Sequence, residues 1–276
     1  MKVAFQGLPG AYSEAAVLEY FGRQTETLPC ESFEAVFAAV QENACEGGLL
    51  PIENSVAGSI HRNYDLLLQH ELSIVGEYYL RVQHCLIALP GVRIDEVRSV
   101  ISHPQALAQC DRYLRSLRVM TSPVYDTAGS VKIVQEQGDH TQAAIASRRA
   151  AELYGMSILA EGIEDDPANY TRFLAIANTP VVAAGNAKTS IVFTLRNMPG
   201  ALFKALSVLA LRDIDLTKIE SRPLVGQPWE YLFYVDIAGS VSDIGVTHAL
   251  ENLGEYALTL RVLGSYPRHS LNFNTG

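Results

Sequence analysis

Long apolar runs are missing from this chain. No stretch approaches the roughly 18 uninterrupted apolar residues that a membrane span needs, although 48% of the 276 residues are hydrophobic. That balance describes a chain that buries cores instead of entering a bilayer. Paired cysteines are missing as well. Cys30, Cys45, Cys85 and Cys110 form no close pair and stand among apolar neighbours, the setting of buried reduced thiols. The 7 histidines make no i, i+4 pair around a glutamate, so neither a zinc site nor a metalloprotease is supported and no metal is expected. Basic charge is scarce: a formal net charge of −9 argues against nucleic acid. It leaves room for an anion site that is locally positive. The start, Met1-Lys2-Val3-Ala4-Phe5, runs into strand-like sequence without the apolar core or cleavage site of a signal peptide, and a cytoplasmic location is expected.

What is present suits two domains, each able to bury its own core. Short apolar strands alternate with helices through about residue 178, the pattern of an α/β architecture with largely parallel sheets. Val3-Ala4-Phe5, Gly48-Leu49-Leu50, Val97–Ile101 and Ala143-Ala144-Ile145 read as buried strands, and the run from Leu80 to Ala88 alternates with period two. Phe33, Val36, Phe37 and Val40 share a helical face behind a Ser32 cap, and Leu107, Cys110 and Leu114 do so behind Pro104. The segment from Thr179 to Lys188 has the small-residue, Pro and Gly content of a linker, which divides the chain into residues 1–180 and 188–266. Beyond it the order is β-α-β-β-α-β, a ferredoxin-like unit.

Candidate chemistry concentrates in polar loops at strand ends. Asn169-Tyr170-Thr171-Arg172-Phe173 places amide, hydroxyl and guanidinium between an acidic turn and an apolar strand. Four further motifs each read as strand, polar loop, helix: Gly7-Leu8-Pro9-Gly10-Ala11-Tyr12-Ser13, Pro51-Ile52-Glu53-Asn54-Ser55, Ser102-His103-Pro104-Gln105 with Gln109, and Asp126-Thr127-Ala128-Gly129. Ser13 and Ser102 also suit plain helix caps, and the first motif matches no nucleotide fingerprint. Helix N-termini aimed at one cleft would receive a small anion. No Cys/His or Ser/His/Asp arrangement assembles, so the chemistry must rest on hydroxyls, amides and Arg172.

Asn169-Tyr170-Thr171-Arg172-Phe173, Pro51-Ile52-Glu53-Asn54-Ser55, Ser102-His103-Pro104-Gln105 with Gln109-Cys110, and Asp126-Thr127-Ala128-Gly129 resemble, in order, the motifs of the prephenate dehydratase family. Gly200-Ala201-Leu202-Phe203 and Glu220-Ser221-Arg222-Pro223 resemble the phenylalanine-binding motifs of its regulatory ACT domain. The resemblance covers nearly the whole chain. It implies a two-lobed, periplasmic-binding-protein-like α/β catalytic domain with the site in the crevice, followed by a ferredoxin-like ACT domain. It implies a carbon–oxygen lyase that needs no cofactor, removing carboxylate and hydroxyl from prephenate to leave phenylpyruvate for phenylalanine synthesis. Thr171 would donate to the departing hydroxyl, backed by Asn169, Arg172 or Glu53. Asn54, Ser55, Ser102, Gln109 and Thr127 would position the substrate, and Phe173 would either join them or serve the core. Gly200, Ala201 and Leu202 with Glu220, Ser221 and Arg222 would bind L-phenylalanine between associated ACT domains, giving feedback inhibition and a homodimer or homotetramer. Arogenate dehydratase is the nearest alternative, and a non-catalytic amino-acid sensor is one of another class. A stand-alone enzyme is expected, with no nucleic acid or membrane partner.

Overall fold

The computed structural model describes residues 1–224 and 230–270. The chain divides into two compact units, Met1–Leu66 with Tyr78–Phe173, and Leu67–Glu77 with Leu174–Gly276. In chain order the first segment runs β1 (Lys2–Gln6), α1 (Tyr12–Phe21), β2 (Glu26–Cys30), α2 (Phe33–Gln41), β3 (Gly47–Asn54), β4 (Gly58–Ser59), α3 (His61–Gln69) and β5 (Ser73–Arg81). β1 pairs in parallel with β2 and with β3, the helices supplying the crossovers. The next segment holds β6 (Cys85–Ala88), β7 (Ser99–Ser102), α4 (Pro104–Gln109), α5 (Asp111–Leu117), β8 (Met120–Pro123), α6 (Thr127–Gln137), β9 (Gln142–Ala146), α7 (Arg148–Leu153) and β10 (Ser157–Glu161). Its strands form a second sheet, ordered β10-β6-β9-β7-β8. The chain then returns through β11 (Tyr170–Ala177) to the first sheet, ordered β2-β1-β3-β11-β5 with β4 on β3.

The sheets are less uniformly parallel than expected, because β6 runs antiparallel to both β9 and β10. The alternating run from Leu80 to Ala88 is also two strands. It breaks at Val82-Gln83-His84, where the Val82 N–H donates to the Asn169 carbonyl and the His84 N–H to Glu164 Oε2 instead of continuing a ladder. The helical face through Leu107 and Leu114 is likewise split at Cys110 between α4 and α5.

Helix starts follow side-chain capping. Ser32 Oγ accepts from Ala35 N at 3.2 Å, and Ser147 Oγ from Ala150 N at 3.0 Å. α1 starts before Ser13, at Tyr12, because the buried Glu14 reaches back to accept the Gly10 N–H at 2.8 Å. Gly10 has φ +92°, and a Cβ there would meet the Ala150 backbone, so glycine is required on both counts. Ser147 Oγ donates to the Gly10 carbonyl at 2.6 Å, tying this turn to α7.

The third sheet contains β12 (Ala187–Leu195), β13 (Leu216–Pro223), β14 (Tyr231–Ala238) and β15 (Ala257–Pro267), with α8 (Ala201–Ala210) and α9 (Ile244–Tyr256) between them. Its order is β13-β14-β12-β15, all antiparallel, which is the ferredoxin-like arrangement. Ile191, Phe193, Val235 and Ile237 pack with Ala205, Leu209, Ala249 and Leu253 into one core. Among the described residues no helix is long and apolar enough to cross a membrane.

Candidate active site

The loop after β3 sets the geometry of the site. It does not feed a helix directly, as its sequence suggested. It turns back as a hairpin with Glu53 opposite Ser59 and Asn54 opposite Gly58, and α3 starts only at His61. In this turn Asn54 Oδ1 accepts the backbone N–H groups of Val56 and Ala57 at 3.0 and 2.8 Å. A backbone N–H can only donate, so the Asn54 amide has a single orientation and its Nδ2 faces β11. From there its two hydrogens are shared among Asn169 Oδ1 at 2.8 Å, Thr171 Oγ1 at 3.0 Å and the Tyr170 carbonyl at 3.2 Å.

The same polarity propagates outward. With its oxygen turned toward Asn54, Asn169 donates from Nδ2 to Gln109 Oε1 at 3.2 Å. Thr171 Oγ1 accepts from Asn54, so its hydroxyl hydrogen remains to be given, and among the described residues nothing takes it. Ser55 stitches the hairpin to the start of β11: its Oγ donates to the Ala168 carbonyl at 2.7 Å and accepts the Tyr170 N–H at 2.9 Å.

A cavity of about 310 Å³ opens beside this group, bordered by Val56, Ala57, Gln109 and Asn169 and by the acidic stretch Glu164 to Asp166. Among its described lining residues there is no lysine or arginine. Glu164 is held inward, its Oε2 accepting the His84 N–H at 2.9 Å. A larger cavity of about 900 Å³ is bordered by Tyr12, Glu14, Arg81, Arg148 and Arg149; none of Asn54, Gln109, Asn169 or Thr171 lines it, whereas Gln109 and Asn169, but not Asn54 or Thr171, line the smaller one. Size alone therefore does not select the site.

The other sequence candidates fall into separate places. Arg172 is 5% exposed and lies over the Tyr79 ring at 6.0 Å. Phe173 is a core residue. Ser102 is fully buried at the end of β7 and donates to the Ile145 carbonyl at 2.6 Å; the cap of α4 is His103 instead. Thr127 opens α6 behind the Asp126 cap, and Glu53 is half-buried in the hairpin. In the second unit Gly200 has φ +78° and precedes α8, while Ala201 and Leu202 line a cavity of about 130 Å³ with Met198, Tyr231 and Phe233. Glu220, Ser221 and Arg222 lie on β13, with Ser221 registered opposite Phe233.

Two residues not among the sequence candidates complete the polar group, Tyr12 from the motif of residues 7–13 and His84 from the alternating run of residues 80–88. His84 Nε2 is 2.9 Å from Gln109 Oε1, and the Tyr12 hydroxyl is 2.7 Å from His84 Nδ1, with the rings edge to face at 5.4 Å. Burial holds His84 below the usual histidine range even though Gln109 and Glu164 favour its cation. Burial also pushes the Tyr12 phenol well up. Both are neutral near pH 7. Neither carries a local signal of this role, since Tyr12 follows a glycine turn and His84 lies in an alternating apolar run.

Comparison with known proteins adds three findings. Residues 3–181 match the family model described as prephenate dehydratase, and residues 189–255 match the ACT domain model. Arogenate dehydratase/prephenate dehydratase 2, chloroplastic, from Arabidopsis thaliana is 50% identical over 278 residues, covering 97% of this chain and 73% of that protein. Among solved structures, prephenate dehydratase from Arthrobacter aurescens in complex with L-Phe superposes with a TM-score of 0.89 at 30% identity, covering 97% of this chain and 90% of that one. A chain described as GqqA, a novel type of quorum quenching acylase, superposes with a TM-score of 0.91 at 36% identity, covering 98% of both chains.

Proposed function

This chain belongs to the prephenate dehydratase family of lyases and carries a C-terminal ACT domain, and on that premise we propose how its cleft performs the reaction. Prephenate loses its ring carboxylate as carbon dioxide and its ring hydroxyl as water, leaving phenylpyruvate. The C–C bond to the carboxylate supplies the electron pair that aromatises the ring, and the C–O bond breaks as the hydroxyl takes up a proton. Aromatisation drives the reaction, so the protein must hold one conformer and deliver that proton.

Thr171 is the donor. The observation that carries this reading is its unclaimed hydroxyl hydrogen beside an oxygen already bonded by Asn54 Nδ2. A hydrogen bond into Oγ1 stabilises the negative charge that grows there as the proton leaves, and solvent then restores the proton. Asn169 and Gln109 hold this geometry, and the Gln109 amide, on the cavity wall, addresses the substrate.

One observation favours arogenate as a second substrate. Glu164, Asp165 and Asp166 border the cavity; Arg81 lies 4.0 Å from Glu164 and Arg112 3.5 Å from Asp165, but neither is among the described lining residues, and the acidic wall suits a substrate ammonium. The Arabidopsis relative is described as acting in both capacities. Residues 1–180 form the catalytic part in this proposal and residues 188–266 the regulatory part. L-phenylalanine is the allosteric ligand, bound near Gly200, Ala201 and Leu202 with Glu220, Ser221 and Arg222 in a homodimer or homotetramer. The cytoplasm is the expected compartment, whereas the Arabidopsis relative is described as chloroplastic.

The test is turnover of purified protein on prephenate and on arogenate, each with and without phenylalanine. Phenylpyruvate formation suppressed by phenylalanine is the expected result. Preference for arogenate would exchange the substrate and keep the donor, and turnover of neither would leave an amino-acid sensor.

A further inference from the structure

Fixing the direction of a chain of side-chain amides requires an anchor at each end, because a carboxamide turned by half a rotation swaps donor for acceptor. One anchor here is the pair of backbone N–H groups of Val56 and Ala57 on Asn54 Oδ1. They force Asn54 to donate to Asn169, and Asn169 to donate to Gln109. The far end is less secure, since the bond from Asn169 to Gln109 Oε1 is 3.2 Å long. Held by that bond alone, Gln109 is free to turn its oxygen into the cleft and set its NH2 against that of Asn169.

His84 prevents this. Its Nε2 lies 2.9 Å from the same Gln109 oxygen. Since Oε1 already accepts from Asn169, it accepts here too, and Nε2 must carry a hydrogen. A neutral imidazole with hydrogen on Nε2 has a lone pair on Nδ1, and the Tyr12 hydroxyl stands 2.7 Å from it. The backbone of His84 is pinned as well, by Glu164 Oε2 on its N–H. Every bond from Tyr12 to Thr171 then has one fixed sense, with the donors of both arms converging on Gln109 Oε1 and Asn54 donating outward to Thr171. The Gln109 NH2 makes no hydrogen bond among the described residues and belongs to a side chain on the cavity wall.

We propose that His84, oriented by Tyr12, is a positioning residue for the dehydration: donating from Nε2 to Gln109 Oε1, it orders the amides that present the Thr171 hydroxyl and the Gln109 NH2 to the substrate. The proposal rests on the functional reading above. It survives protonation of His84, because Tyr12 then accepts from Nδ1 and gives its hydrogen to the Gln83 carbonyl at 3.1 Å, leaving Nε2 a donor in both states.

Long-range ¹H–¹⁵N spectroscopy of the full chain tests the bond directly: a hydrogen on Nε2 with Nδ1 bare is expected, and a neutral ring with hydrogen on Nδ1 overturns the proposal. In parallel, His84→Met is expected to lower kcat by up to about 100-fold with little change in KM or Tm, the scale of a misplaced catalytic group. His84→Gln, which returns an N–H near the Nε2 position, is expected to recover most of that loss. In an Asn169→Ala background His84→Met is expected to cost nothing further, because the chain is already cut. An unimpaired His84→Met, a His84→Gln no better than His84→Met at equal Tm, or additive losses with Asn169→Ala would each overturn it. A wild-type protein that turns over neither acid overturns the functional reading and this proposal together. An active wild type with any of those variant results overturns the proposal alone.

Discussion

Two buried polar networks in this molecule are built to opposite ends. Near the cleft, Asn54, Asn169, Gln109, His84 and Tyr12 form a neutral chain whose last member, Thr171, keeps a hydrogen unspent. In the second unit, Lys188 Nζ meets Glu77 Oε2 at 2.7 Å, Ser190 Oγ bonds Asp236 at 2.5 Å and Tyr266 at 2.7 Å, and Thr189 Oγ1 bonds the Gly239 carbonyl and Ser265. These bonds include a charged pair, and they fall into separate sets, each joining buried side chains. A closed network serves the register of strands, because removing any member strands a partner. An open one holds a donor ready at small cost, since neutral amides are cheaper to bury than ions.

The contrast predicts where each substitution is felt. Lys188→Met leaves Glu77 buried without its cation and should destabilise the protein by about 3–5 kcal/mol in urea unfolding, whereas Lys188→Met with Glu77→Leu should return much of that loss. A Lys188→Met protein of unchanged stability would break the comparison. Thr171→Ala should do the reverse, lowering kcat by about 100- to 1,000-fold while unfolding free energy stays within about 1 kcal/mol of wild type. An active Thr171→Ala would remove this residue as the donor.

Gly264 sharpens the contrast on the structural side. A Cβ at this position would meet the carbonyl oxygen and backbone carbon of Ile74, so Gly264→Ala should cost about 1–3 kcal/mol by displacing backbone, readable as a lowered Tm. The smallest effect concerns pH. His84 and His269 both titrate below the usual histidine range because of burial, so from about pH 6.5 downward the unfolded chain binds protons that the folded chain refuses. Stability should therefore fall with pH through that window and level off below the folded-state values. Urea titrations at descending pH should show a shallower fall in His84→Gln, and an identical slope would mean that His84 does not titrate as its burial implies.

Much of this was legible in the chain. The β-α-β-β-α-β order, the Ser32 cap, and the clustering of polar residues at Asn54, Asn169 and Thr171 are local signals, carried by periodicity, capping and polar residues at strand ends. Other features were not local. Ser102 reads as a cap by type and spacing, yet β7 carries it into the interior against Ile145. Glu14, not Ser13, satisfies the first turn of α1, because a long side chain can reach back where a short one inside the helix cannot. The break at Val82-Gln83-His84 follows from bonds to Asn169 and Glu164, and nothing in the alternation of the run foretells it.

The sequence by itself determined most of the strands and helices, the order of the two kinds of domain, and the residue types available to the cleft. Only the tertiary structure decided which of those polar groups face one another and in which direction each hydrogen points. The reason is physical. Helix and strand periodicities are set by neighbours a few residues away, whereas the sense of a carboxamide or an imidazole is set by its partner, and here the partners of Asn54 and His84 stand at Asn169 and Tyr12, distant in sequence and adjacent only once the sheets have formed.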